Sequence, residues 1–303
     1  MYTYTWYQWL AFFYCYCFFG WIFESTYVSI RTRHFVNRGF LRLPLLPLYG
    51  TGAVMMLWVS LPVRDHIVLV YLSGFFAATA LEYVTGYTME RLFKMKYWDY
   101  SDQKFNINGY ICLSSSIAWG FLTILLTEVI HKPIAAMVTS IPALWNIAGV
   151  AIISVFFIED TVQSVRTALE LGKVLENLTK MRAELDDIQV QLALLRAEAS
   201  QKMDEYREDT AGRMEQMRSD AMQWLADHRQ ETVQKMDQLA DLKNTKIDSL
   251  LERRQALSLK YQSFTDQLSH RRRTLLQRNP TAASRQFGRA LKELYDAIEK
   301  QKK

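Results

Sequence analysis

Charge is nearly absent from long stretches of the first half of this chain, and that absence limits its fold more than any motif does. Up to Ile158 there are ten Lys/Arg and seven Asp/Glu, and the remainder carries 26 and 24. The mean hydropathy of −0.08 conceals this split. A bilayer core of roughly 30 Å is crossed by about 20 apolar helical residues, because a backbone polar group left unbonded in lipid is intolerable. Five stretches meet that requirement, at 7–28, 43–61, 67–85, 111–130 and 133–158. In the second, Pro44 and Pro47 interrupt the start and Gly50 and Gly52 follow, so it is expected to be broken or re-entrant at that end. Trp6, Tyr7, Trp9, Trp21, Trp58, Trp98 and Trp119 gather near the predicted span ends, as half-apolar rings do at an interface.

Lys and Arg in short loops give the orientation. One pair of alternate loops holds Arg31, Arg33, Arg38, Arg42, Arg91, Lys94, Lys96 and Lys104, and the other pair holds only Arg64 and Lys132. This places the first pair and the tail in the cytoplasm, with the N-terminus outside. The chain is therefore read as all-α: a polytopic bundle of about five spans at 1–158, a cytoplasmic coiled coil at 159–275 and an amphipathic helix at 284–303.

The net charge of +5 is a mild excess shared by both halves, which excludes a nucleic-acid-binding patch. Cys15, Cys17 and Cys112 read as packing residues, since three thiols in apolar surroundings make no disulfide framework. The first segment lacks a basic start and a small-residue cleavage site, so it is expected to remain in the mature protein. No P-loop, H-E-x-x-H or G-x-S-x-G is present, and the five histidines are scattered. No catalytic residue, metal or cofactor is implied.

The polar residues of the apolar half collect at one depth, the predicted inner face. Candidates for a polar vestibule are Glu24, Asn37, Arg38, Tyr49, Glu82, Tyr83, Trp98, Asp99, Asn106 and Asn108. An ionisable residue in a span costs a few kcal/mol and normally faces protein or water with a partner, so Glu24 and Glu82 are expected inside the bundle, with Arg38 or Arg91 as counter-ions. The same residues also suit plain packing: an ion pair fixing the inner loops, Asn106 and Asn108 capping the fourth span, Trp98 anchoring at the interface.

Beyond Glu159 no proline occurs before Pro280, and apolar residues recur at alternating spacings of three and four through Leu171, Val174, Leu178, Met181, Leu185, Ile188, Leu192 and Leu195. That is an a/d seam. It slips past Ala199 to Met203, Tyr206, Met214 and Met217, with Met222, Trp224, Leu239, Ile247 and Leu250 less regular. The run either continues straight, as a rod of about 170 Å, or folds back at Asn244-Thr245. Phe287, Leu291, Leu294, Tyr295 and Ile298 give the last helix an apolar side, expected to dock on the coiled coil.

Ordered motifs carry a resemblance: Gly20-Trp21 with Glu24-Ser25, Phe35-Val36-Asn37-Arg38-Gly39-Phe40-Leu41, Leu48-Tyr49-Gly50, Leu81-Glu82-Tyr83, Trp98-Asp99-Tyr100-Ser101, Phe105-Asn106 with Asn108-Gly109, and Trp119-Gly120. Over about residues 6–158 the chain resembles the bacterial type IV, CmpB-like ABC-transporter permease family. The resemblance implies a multi-pass protein of the bacterial cytoplasmic membrane, in contact with the lipid bilayer and energised by a separate ATPase subunit. Tyr110 stands where that family tends to have an arginine, and Leu43 and Leu46 replace small residues before the prolines. Three functions are compatible with the residues: a transport component, a membrane-anchored scaffold or sensor in which the coiled coil is the active part, and an enzyme using Glu24 or Glu82 on lipid-linked substrates; under any of them a parallel coiled coil would make a homo-oligomer natural.

Overall fold

The computed structural model describes residues 4–216, 224–266 and 268–300, with the backbone alone at 206–207, 209–216 and 224–243. The described residues are mostly helical, with two isolated β-bridges and no strand. In order they form α1 (Trp6–Thr32), α2 (Pro47–Ser60), α3 (Ile67–Phe93), α4 (Leu113–Leu125), α5 (His131–Ser140), α6 (Ala143–Gln216), α7 (Trp224–Asp266), α8 (His270–Arg278) and α9 (Gly288–Lys300). They make two compact units, one of Met1–Glu176 with Leu268–Lys303, the other of Asn177–Gln267.

Among the described residues, three helices are long and apolar enough to cross a membrane: Ile67–Phe93, Leu113–Ser140 and Ala143–Glu205, the last through its apolar start. Their flanks expose large apolar groups to a degree that water does not tolerate, with Phe76 65%, Leu144 75% and Val155 65% accessible. α1 has the length at 27 residues. Its many tyrosines lower its hydropathy. α2 with the 3-10 turn after it is a shorter apolar helix, Pro47–Val63. Pro47 occupies the first helical turn, where the missing N–H costs nothing, and Leu46 before it is extended (φ −109°, ψ 96°). Pro47 therefore starts the helix, while residues 43–46, with Pro44, form a non-helical lead-in at the end where a break is expected.

The fourth and fifth stretches meet differently from the sequence reading. The expected break at Lys132-Pro133 does not occur, since Leu113–Ser140 is continuous and the chain turns at Ile141-Pro142. A π turn at Leu126–Ile130 lies just before Pro133 and carries the helix past the proline's missing donor.

The helices of the first unit meet closely at glycine. A Cβ on Gly20 of α1 would lie 2.4 Å from Tyr49 Cβ of α2, and one on Gly74 of α3 would lie 1.9 Å from Thr123 Oγ1 of α4. Such contacts replace the hydrophobic driving force that lipid does not supply between apolar helices. Phe12, Tyr16, Ala53, Met56, Leu57, Ala78, Leu126 and Val138 fill the space between them.

In the second unit the Arg253 guanidinium donates to Glu184, so α7 lies alongside α6 and the straight rod is excluded. Leu178, Met181, Ile188 and Leu192 of the seam are buried. Asn244 and Thr245 are not the reversal, because both are inside α7. Neither is worse than weakly unfavourable in a helix, and no Gly or Pro accompanies them. The side chains of Tyr206, Met214, Met217, Met222, Trp224 and Leu239 lie outside the described residues.

Candidate functional site

Four helices and two loops of the first unit surround a cavity of about 330 Å³ at the end of the bundle that bears the arginine-rich loop. Glu24 comes from α1, Tyr49 from α2, Glu82 from α3 and Trp119 from α4, while Arg38, Tyr97, Trp98 and Tyr100 come from the loops. The close approach at Gly20 delivers Tyr49, whose hydroxyl donates to Glu24 Oε1 at 2.7 Å. Arg38 Nε lies 3.9 Å from Glu24 Oε2, which realises one of the two counter-ions read from the sequence.

Glu82 is only 5% exposed and has a different environment. Its carboxyl takes hydrogen bonds from Trp119 Nε1 (2.9 Å), Tyr100 Oη (3.2 Å) and Ser115 Oγ (3.3 Å). Arg91 does not reach it; its Nε donates instead to Tyr87 Oη of the same helix at 3.1 Å, with the guanidinium over that ring. Indole N–H is a donor with no acceptor capacity, so the Trp119 bond requires a lone pair on Glu82. Burial together with the bond to Glu82 raises the Tyr100 hydroxyl above its ordinary pKa and keeps it a donor.

Arg38 is fully occupied by protein. Its guanidinium donates to Arg278 O, Asn279 Oδ1, Tyr97 O and Thr281 Oγ1 at 3.1–3.4 Å. Burial lowers its pKa, and Glu24 works against that shift. Asn279, itself buried, also donates to Gly39 O at 3.3 Å and lines the cavity. The segment between α8 and α9 is thus tied to the loops of the apolar half: Lys96 and Ala283 exchange backbone hydrogen bonds at 2.7 and 3.0 Å, and Ser284 Oγ donates to Lys94 O at 2.7 Å.

The other candidate residues shape the walls rather than the cavity. Asn37 accepts from Trp21 Nε1 at 2.7 Å and donates to Arg42 O. Asp99 Oδ1 takes Ser101 N, Ser101 Oγ and Lys96 Nζ. Partial burial raises the Asp99 pKa, but Ser101 and Lys96 more than offset it and hold the group below its ordinary value. Asn106 accepts from Gly109 N and donates to Ser101 O and Gln103 O; Asn108 donates to Tyr83 Oη. Neither caps the fourth span, where Cys112 is the N-cap and its N–H donates to Ser115 Oγ. Gly109 has φ +69°, and a Cβ there would lie 2.3 Å from Asp99 Oδ1, so only glycine closes this loop.

Several side chains escaped the sequence reading. Trp119 and Tyr100 stood inside the resembling motifs but read as interfacial anchors. Lys96 looked like a loop cation, yet it is 2% exposed, bonded to Asn108 O at 2.8 Å and seated over the Tyr110 ring. Asp160 is 4% exposed and accepts from Arg42 N, Arg42 Nε and Leu43 N at 2.7–2.9 Å. Tyr110 donates to Glu90 Oε2 at 2.5 Å, and burial followed by that bond pushes its hydroxyl up to about 12. A carboxylate thus faces the position where the resembling family tends to have arginine.

A larger cavity of about 560 Å³ opens at the opposite end, among Tyr4, Arg64, Asp65, Glu128, His131 and Lys132. Its ion pairs are local and exposed, Lys132 with Glu128 at 2.9 Å and Arg64 with Asp65 at 3.9 Å. Its buried His131 is bonded to Tyr16 Oη and Tyr4 Oη. Size favours this cavity and chemistry the other; buried groups joined across four helices weigh more than volume.

Among known proteins, the family described as Putative ABC-transporter type IV matches residues 11–165. No curated protein and no solved structure matches the chain. Every cavity-lining residue except Asn279 lies within the matched range. The apolar helices and this match agree on a membrane location and on transport, and the chain belongs to the type IV ABC-transporter family that the match defines.

Proposed function

We propose that this chain is the permease component of a transporter energised by a separate ATPase subunit, and that the Glu24–Glu82 cavity is its polar site on the cytoplasmic side. The observation that carries the proposal is the cavity itself: two carboxylates, from α1 and α3, face one space closed by the loops between the apolar helices. Family membership supports transport, and the lack of a phosphate-binding loop in the chain leaves nucleotide hydrolysis to a partner.

In this reading α1, α2, α3, Leu113–Ser140 and the start of α6 are five crossings of the bacterial cytoplasmic membrane. Eight of ten Lys/Arg in the connecting loops fall on the cavity side, which puts that side and the tail in the cytoplasm and the N-terminus outside. Residues 1–158 are then the transmembrane domain and 284–303 a terminal amphipathic helix. The part between is then a coiled coil, in which α7 pairs with α6 through Arg253 and Glu184. In this reading the bundle carries transport and the tail organises the complex.

Purification in mild detergent with mass spectrometry tests the proposal. A nucleotide-hydrolysing subunit is expected in stoichiometric amount, including after deletion of Asn177–Gln267. Recovery of this chain alone, from cells shown to express it at native level, overturns the permease reading and favours the scaffold.

A further inference from the structure

We propose that the cavity binds an organic cation, a compact quaternary or protonated amine; this rests on the reading of the cavity as the permease's substrate site. Three observations on the cavity converge on that ligand class.

The first is charge. Glu24 is matched by Arg38, whose Nη groups are taken by three carbonyl oxygens and a hydroxyl and whose Nε faces Glu24, so it is poorly placed to receive an anion. Among the described residues Glu82 has three hydrogen-bond donors, none of them cationic, and no ion pair. A buried carboxyl bonded only to neutral groups has nothing to balance its ionised form, and an entering cation would supply that charge.

The second is the lining. Phe40, Tyr49, Tyr97, Trp98, Tyr100 and Trp119 bring six aromatic rings to a cavity of about 330 Å³. Aromatic faces attract cations through the ring quadrupole, with Trp the strongest, and most where water is excluded. The volume stands at the lower end of the ~300–1,000 Å³ found for small-molecule sites.

The third is an orphan. Tyr97 is 5% exposed, lines the cavity, and its hydroxyl has no hydrogen-bond partner among the described residues. A buried hydroxyl without a partner is destabilising, and a ligand oxygen or nitrogen would satisfy it. Aromatic walls alone would suit any apolar molecule, and a carboxylate alone would suit a metal ion or a proton. Together with an unused hydroxyl they suit a cation that has both an apolar surface and a polar end.

The test uses the full chain in detergent, with choline and its uncharged carbon isostere 3,3-dimethylbutan-1-ol as probes, and follows calorimetry and Trp fluorescence. Saturable choline binding is expected, with the isostere at least about tenfold weaker. Glu82→Gln should weaken choline by a similar factor. Tyr97→Phe, which keeps the ring, should weaken choline several-fold and leave tetramethylammonium unchanged. Equal binding of choline and the isostere, or no saturable choline binding, overturns the assignment in the wild-type protein, so it does not depend on a variant folding. Choline bound as strongly by folded Glu82→Gln overturns it as well. Cation binding by a chain that captures no ATPase would sink the permease reading and keep this site; an ATPase partner without cation binding would do the reverse.

Discussion

The two ends of the helical bundle handle charge in opposite ways. At one end Lys132 and Glu128, or Arg64 and Asp65, pair with near neighbours in sequence and stay exposed. At the other, Arg38 bonds to Asn279, Arg42 to Asp160 and Trp119 to Glu82, across 241, 118 and 37 residues, and the acceptors are mostly buried. The first pattern is what solvated side chains do anyway and is worth little. The second holds groups where burial is costly and needs several chain segments to be correct at once. Long sequence separation combined with burial therefore marks the functional end better than cavity size does.

Substitutions at the two ends should separate by size. Asp160→Ala leaves Arg42 N, Arg42 Nε and Leu43 N without their acceptor, and a loss of about 3 kcal/mol is expected in thermal unfolding in detergent. Gly20→Ala forces α1 from α2 at Tyr49 and should cost about 1–3 kcal/mol, and it should also displace Tyr49 from Glu24. Asn279→Ala removes the bonds to Arg38 and Gly39 O and should cost about 1–2 kcal/mol, with faster proteolysis of α9 as its signature. Lys132→Ala at the opposite end should change stability by under about 0.5 kcal/mol. If Lys132→Ala proves as costly as Asp160→Ala, the contrast between the ends fails.

A pH titration sharpens the contrast within the loop that holds Lys96. Asp99 is held below its ordinary pKa in the folded chain, so its contribution is complete above the usual carboxylate range and disappears as the pH falls through the depressed value. Asp99→Asn should flatten the acid limb of the unfolding curve by a small amount, because the group is partly exposed.

Hydropathy was enough to find α3, the helix through Leu113–Ser140 and the start of α6, because lipid leaves helices little choice of composition. It misplaced the fourth boundary, since a π turn compensates for Pro133 and no composition signal announces one. Glu24, Arg38, Tyr49, Glu82 and Trp98 were legible as charged or aromatic residues at a common depth, and the structure gathers them at one cavity. Asn279 was not. Its identity as a wall residue depends on the chain returning after about 240 residues, and its local sequence, Asn279-Pro280-Thr281, reads only as a linker. Lys96 was counted as a loop cation because sequence gives charge without burial.

The side of the membrane on which the carboxylate cavity opens is tested most directly by labelling single cysteines with an impermeant maleimide in intact cells and in permeabilised ones, with Cys15, Cys17 and Cys112 replaced. Lys104→Cys, in the loop beside the cavity, should label only after permeabilisation, and Lys132→Cys should label in intact cells. Labelling of Lys104→Cys from outside, with Lys132→Cys protected, would contradict the account.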